Sequence, residues 1–204
     1  MRHLIQAALF LFATIDPLGT VLLFSAVTAG VPATQRPAIA RRAVLSAAAI
    51  LVGAMVLGQP ILQGLGVRLI SLQVAGGVIL FLFGLQMIFG EVGAPGRAEP
   101  ESGHDVAVFP LAVPSIASPG AIIAVIVLTD NAVYSLASQA TIGAILIAIL
   151  LLTWSMLRLA GPILSVLGVS GARVLIRVLG MLLAALAVEL ALSALGVAGW
   201  TGPA

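Results

Sequence analysis

Two dipeptides, Asp16-Pro17 and Ser118-Pro119, carry most of the chemistry that this sequence offers. Aspartate and serine are preferred at the N-cap of a helix. Proline is favoured at the first helical position, where its missing N–H is not needed. Each pair therefore reads as a place where a helix restarts. A restarting helix presents free N–H groups and a partial positive charge, which suit an anion. The glycines that follow, Gly19 and Gly120, would let a ligand approach the backbone closely. Asp16 adds a negative charge suited to an ammonium group or a proton. The candidate binding residues are thus Asp16, Pro17, Gly19, Thr20, Ser118, Pro119 and Gly120. A blander reading stays open beside this one. Proline within a membrane helix often makes only a kink, and an aspartate before it can be a cap that neutralises its own helix end.

The elements that must hold these residues are membrane helices. The 204 residues are 61% hydrophobic and only 8% charged, and the mean hydropathy is +1.25. A soluble domain carries roughly 25% charged residues, so this apolar surface must face lipid. With no cysteine in the chain, disulfides, thiol catalysis and cysteine-held metals are excluded. Its two histidines, His3 and His104, fall at a terminus and in a loop, so no intramembrane histidine metal site or other cofactor is expected. Nine arginines and no lysine raise the pI, but they scatter among helix flanks, which points to control of topology and not to nucleic acid.

Charge-free stretches long enough for the roughly 20 residues of a membrane helix predict six spans, over 4–29, 43–65, 69–89, 106–129, 137–157 and 174–197. Polar connections are expected over 30–42 and 91–105, the second as a flexible loop. The aspartate-proline pair inside the first span, and the lack of a small-x-small cleavage site, argue against a cleaved signal peptide. Asp16 and Ser118 each lie twelve residues into their spans, which at about 1.5 Å per residue is near mid-membrane. Connections one, three and five carry seven arginines and the opposite side two, Arg2 and Arg68. The positive-inside rule then puts the odd connections in the cytoplasm and both termini outside.

The chain also resembles itself at an offset of 102 to 103 residues. Gln59-Pro60-Ile61-Leu62-Gln63-Gly64-Leu65-Gly66-Val67 aligns with Gly161-Pro162-Ile163-Leu164-Ser165-Val166-Leu167-Gly168-Val169. Asp16-Pro17 falls on Ser118-Pro119, Gly77 on Gly180 and Gln86 on Glu189. Three helices per repeat is an odd number, so the second copy enters the membrane upside down. The expected architecture is a single all-α transmembrane domain of two inverted three-helix repeats, about 1–90 and 106–198, with helices one and four broken near mid-membrane. Glu189, Gln86, Gly76, Gly77 and Gly180 are candidates for coupling or gating. For Glu189 an interfacial or pair-forming role competes, for Gln86 a structural one, and for the glycines close helix packing.

Four segments resemble the MarC family, also called the neutral amino acid transporter (NAAT) family. They are Ile15-Asp16-Pro17-Leu18-Gly19-Thr20, the run from Ala75-Gly76-Gly77 to Phe83-Gly84-Leu85, the proline-rich run from Pro110 through Pro114 to Ser118-Pro119-Gly120-Ala121-Ile122, and Arg177-Val178-Leu179-Gly180-Met181-Leu182-Leu183-Ala184-Ala185. The third is the most specific. The resemblance implies a six-helix bacterial inner-membrane protein, with some members linked to transport of glycine and alanine. Many relatives carry glycine where this chain has Ser118.

The function expected is a secondary transporter of small neutral amino acids, by alternating access around the two broken helices. A channel or permease for a cation or other small solute, or a lipid transporter, are the alternatives. No HExxH, GxSxG or carboxylate dyad supports an enzyme. The partners expected are a small-molecule substrate and membrane lipid, with room left for a coupled proton or sodium ion and for a homo-oligomer.

Overall fold

The computed structural model describes residues 2–90 and 106–197, and every regular element among them is helical. In chain order these are α1 (Arg2–Ile15), α2 (Pro17–Val27), α3 (Arg36–Gly64), α4 (Leu69–Phe89), an irregular turn-rich segment Ala107–Ile116, α5 (Pro119–Leu128), α6 (Leu136–Arg158) and α7 (Ala160–Ala194). Five stretches are long and apolar enough to cross a membrane: Leu4–Val27, Arg36–Gly64, Leu69–Phe89, Leu136–Arg158 and Ser170–Ala194. The segment Ala107–Ile116 with Pro119–Leu128, bent by 53°, makes a sixth if the pair is one span. The polar loop expected over 91–105 lies outside the described residues.

Two boundaries differ from the sequence reading. The connection expected over 30–42 ends sooner, because α3 already begins at Arg36. Pro37 occupies its first turn, where a missing N–H costs nothing, and Arg36 Nε donates to Val31 O at 3.0 Å to close the short loop. At 29 residues and about 1.5 Å per residue, α3 is longer than the hydrocarbon core is thick, so its arginine-bearing end is helix outside the apolar layer. The last connection is likewise helical. α7 starts at Ala160 and is interrupted only at Gly168, whose φ of 66° suits glycine. Charge suggested a connection as far as Arg42; the chain continues as helix from Arg36 instead.

The central elements are the interrupted ones. Two-thirds of the Leu4–Val27 span is buried inside the protein, against a third or less of each other continuous span. In α5, Gly120, Ala121, Ile123, Ala124, Val125, Ile126 and Leu128 are all buried. Around this centre α3, α4, α6 and α7 present their outer apolar faces, with residues such as Leu45, Leu82, Leu151 and Leu182 exposed, as a lipid-facing shell must.

Glycine sets how closely the shell packs. A Cβ added at Gly77 would lie 2.8 Å from Ala187 O, and one at Gly84 would lie 2.9 Å from both Ala184 N and Gly180 O. Backbone meets backbone there, so α4 and α7 touch through small residues, as membrane helices do when packing replaces the hydrophobic drive. The contacts run in opposite directions along the two helices, so the pair is antiparallel. Gly84→Ala should therefore lower stability by about 1–3 kcal/mol, the usual cost of overpacking. Gly53, with nothing within 4 Å of its built Cβ, is the control: Gly53→Ala should be neutral or stabilising by up to about 1 kcal/mol. Thermal unfolding in detergent checks the pair, and equal shifts for both would refute the tight α4–α7 contact.

Candidate functional site

The first interruption is one residue wide. α1 ends at Ile15 and α2 begins at Pro17. Pro17 has no N–H to offer the preceding turn. Asp16 between them takes a left-handed conformation, φ 48° and ψ 69°, which short polar residues tolerate best after glycine. The backbone remains stitched through it, with Asp16 N donating to Phe12 O and Thr20 N to Asp16 O, each at 3.0 Å. The Asp16 carboxylate folds over the first turn of α2, where Oδ1 accepts from Gly19 N at 3.0 Å. A Cβ at Gly19 would overlap Asp16 Oδ2. Glycine is needed here so that the aspartate can cap its own helix. Asp16 is only 8% exposed, and among the described residues no cation pairs with it.

The second interruption is prepared by prolines. Phe109 and Val113 precede Pro110 and Pro114 and sit at extended angles, the region that a following proline favours; both proline peptide bonds are cis. Ser118, also extended, then caps α5, accepting from Ala121 N at 3.0 Å, and Pro119 opens the helix. Gly120 serves packing, since a Cβ there would overlap the Leu80 side chain of α4.

Hydroxyl groups join the two interruptions. Ser118 Oγ donates to Thr14 O, at the end of α1, at 2.9 Å. Thr20 Oγ1 donates to Asp16 O at 2.9 Å and lies 3.0 Å from Ser115 Oγ. Thr20 has one hydroxyl proton, so with that proton on Asp16 O the Ser115 hydroxyl is the donor in their contact. A buried carboxylate, three hydroxyls and the N-terminus of α5 thus converge at one locus. It offers an acceptor for an ammonium group or proton and a positive helix end for an anion.

Of the residues singled out in sequence, Asp16, Pro17, Gly19, Thr20, Ser118, Pro119 and Gly120 all lie at this locus. The others do not. Gly76 packs on Ile123 of α5, whereas Gly77 and Gly180 belong to the α4–α7 contact. Gln86 and Glu189 are exposed on α4 and α7, and no hydrogen bond ties either to Asp16. Sequence reasoning missed Thr14, Ser115 and Gln59. The buried Gln59 donates through Nε2 to Thr129 O at 3.0 Å and accepts from Asn131 N at 3.2 Å, fastening the far end of α5 to α3. Its signal was a glutamine before a proline inside an apolar run.

Ser118→Ala would strand two buried groups, Thr14 O and Ala121 N, at a cost of about 1–3 kcal/mol. Ser155→Ala, which removes an exposed hydroxyl bonded only to Leu151 O, should cost far less. Equal losses in a thermal or denaturant unfolding comparison would show that the Ser118 junction carries no special weight.

No solved structure matches the chain. Curated relatives do. A UPF0056 membrane protein of Archaeoglobus fulgidus is 38% identical over 187 residues, covering 88% of this chain and 85% of the relative. Two more come from Escherichia coli K12: the UPF0056 membrane protein YhcE, 32% identical over 88% of this chain and 85% of its own length, and the UPF0056 inner membrane protein YhgN, 30% identical over 98% of both. Relatives are archaeal as well as bacterial, so the family does not restrict the chain to bacteria. The model of the MarC family of integral membrane proteins matches residues 1–199, and the chain belongs to that family.

Proposed function

We propose that the chain is a secondary transporter of small neutral amino acids, the glycine and alanine class, working by alternating access between two inverted three-helix repeats. The observation that supports this reading most is the buried Asp16 carboxylate, with no cation beside it among the described residues, at the junction of two interrupted helices. An ionisable group inside a membrane span is expensive and is a functional candidate by default. A zwitterion needs two opposite partners. Asp16 serves its ammonium group, and the N-terminus of α5 at Ser118-Pro119-Gly120 serves its carboxylate. Leu80 already fills the space beside Gly120, so the carboxylate approaches the helix end from the Asp16 side or Leu80 moves as it enters.

Further observations support the repeat. Gly66 and Gly168, 102 residues apart, have φ of 67° and 66°. Helices α2 and α5 both end on a threonine whose hydroxyl donates to the carbonyl four residues back, Thr28 to Phe24 O and Thr129 to Val125 O, each at 2.6 Å. In the mechanism, the Ser118–Thr14 and Ser115–Thr20 contacts are exchanged for contacts to substrate as one repeat rocks against the other. Asp16 carries a coupling proton when no ammonium group is present. The membrane is the cell (inner) membrane, with the arginine-rich connections in the cytoplasm and both termini outside. The protein does no covalent chemistry in this reading.

Counterflow of labelled alanine and glycine into proteoliposomes, with and without a pH gradient, tests the proposal. Wild type should show saturable uptake. Asp16→Asn should lose at least about tenfold of it, the effect of roughly 1.4 kcal/mol at one contact, while keeping its monodisperse folded form. Full uptake by Asp16→Asn would remove Asp16 from the site. Absence of uptake by folded wild type would remove amino acids as substrates, and a flux that never saturates would favour a channel.

A further inference from the structure

The far ends of α2 and α5 are closed in different ways. α5 ends on Thr129, and the turn that follows is held from two sides. From α3, Gln59 Nε2 donates to Thr129 O at 3.0 Å, and Gln59 Oε1 accepts from Asn131 N at 3.2 Å. From α6, Gln139 Nε2 donates to Asn131 Oδ1 at 2.9 Å and to Tyr134 O at 3.0 Å. Gln59 is only 7% exposed, and both ends of its amide bond to this one turn. Beside it α3 presses on α5, since a Cβ at Gly58 would overlap the Ile126 side chain.

The opposite end lacks this amide. By the repeat, Gln59 corresponds to Gly161, which has no side chain to bond with and nothing within 4 Å of a built Cβ. The turn after α2 is tied by Arg36, a near neighbour in sequence, to Val31 O and Ala29 O. Enclosure follows the same asymmetry. Leu128, at the end of α5, is buried, whereas its equivalent on α2, Ala26, is exposed.

We infer that Gln59 is a gating residue: its two hydrogen bonds latch the α5 end of the pathway shut in this conformation, and they break when that end opens. The inference rests on the alternating-access reading, and not on which solute is carried. Gln59 belongs to the first repeat and the Thr129–Asn131 turn to the second. The tie therefore spans the interface across which inverted repeats move. The Gln139–Asn131 bond lies within the second repeat and stays made. Depth also suits a gate. Gln59 is seventeen residues past Arg42, the last charge in α3, or about 25 Å into a hydrocarbon core of about 30 Å. That is near the far membrane surface, where water can receive Thr129 O, Asn131 N and the Gln59 amide once they part. A hydrogen bond exchanged for water in this way costs little, so the closure is reversible.

The cysteine-free chain makes accessibility the direct test. It needs no substrate, so a failure of amino-acid uptake leaves it standing. In nanodiscs, where both faces meet the reagent, a small polar maleimide should modify Leu128→Cys slowly. It should modify Leu183→Cys, fully buried on α7, more slowly still. Adding Gln59→Leu strands Thr129 O and Asn131 N in the closed form alone. It should raise the rate at Leu128→Cys at least about tenfold, on the scale of the lost bonds, and leave Leu183→Cys unchanged. Gln59→Glu keeps an acceptor for Asn131 N and loses the donor, so its rate should fall between; it carries the test if Gln59→Leu does not fold. No rise at Leu128→Cys in folded variant protein would overturn the latch. Equal rises at Leu128→Cys and Leu183→Cys would mean that the whole bundle loosens, and would overturn it as well.

Discussion

Inside a bilayer every backbone N–H and C=O must find a partner within the protein, and Pro17 and Pro119 each remove one donor from the middle of an apolar run. The arrangement at the centre of this protein answers that constraint. Asp16 and Ser118 cap the helices that the prolines open, and Ser118 donates onward to Thr14 O, the carbonyl exposed where α1 stops. One break therefore satisfies the other. This explains why both interrupted spans are central and why continuous helices surround them: irregular backbone survives at that depth only when enclosed.

Enclosure in turn depends on close approach. Side chains small enough to let helices touch recur wherever the shell meets itself or the centre: Gly77, Gly84 and Gly180 between α4 and α7, Gly76 against Ile123, Gly58 against Ile126, Gly120 beneath Leu80. Lipid tails are as apolar as leucine, so no hydrophobic drive distinguishes a helix–helix contact from a helix–lipid contact, and fit must decide. Gly19 answers to the same logic at shorter range, yielding its side-chain space to the Asp16 carboxylate. Glycines that looked like openings for a ligand are thus occupied by the protein's own atoms, and what remains for chemistry is the carboxylate, the hydroxyls and the helix end.

The spans were legible because hydrocarbon thickness imposes a length and an apolar composition on each of them. Asp16-Pro17 and Ser118-Pro119 were legible because capping preference and the missing proline N–H are local properties. What hid was whatever depends on direction around a helix. Gln86 and Glu189 align by sequence register yet point outward, whereas Ser115 and Thr14 look unremarkable among apolar neighbours yet turn inward to the junction. The first residue of α3 was misjudged for another reason. Arginines mark where the membrane ends, and helix can continue through them.

The inverted-repeat reading gives the junction its last feature, an asymmetry. Equivalent positions in two inverted copies would, with identical residues, offer two like helix ends to a substrate. Here one copy holds aspartate and the other serine. The carboxylate at Asp16 offsets the positive end of α2, while the neutral hydroxyl at Ser118 caps α5 without cancelling its dipole. The pseudo-symmetric pair thereby acquires a negative pole and a positive pole, in segments joined by the hydrogen bond from Ser118 Oγ to Thr14 O. A substrate of one sign would find one favourable pole and one unfavourable. A compact molecule with both signs, close enough together to span the two caps, would satisfy the pair, and on this reading the polarity of the substrate is written in the difference between the repeats.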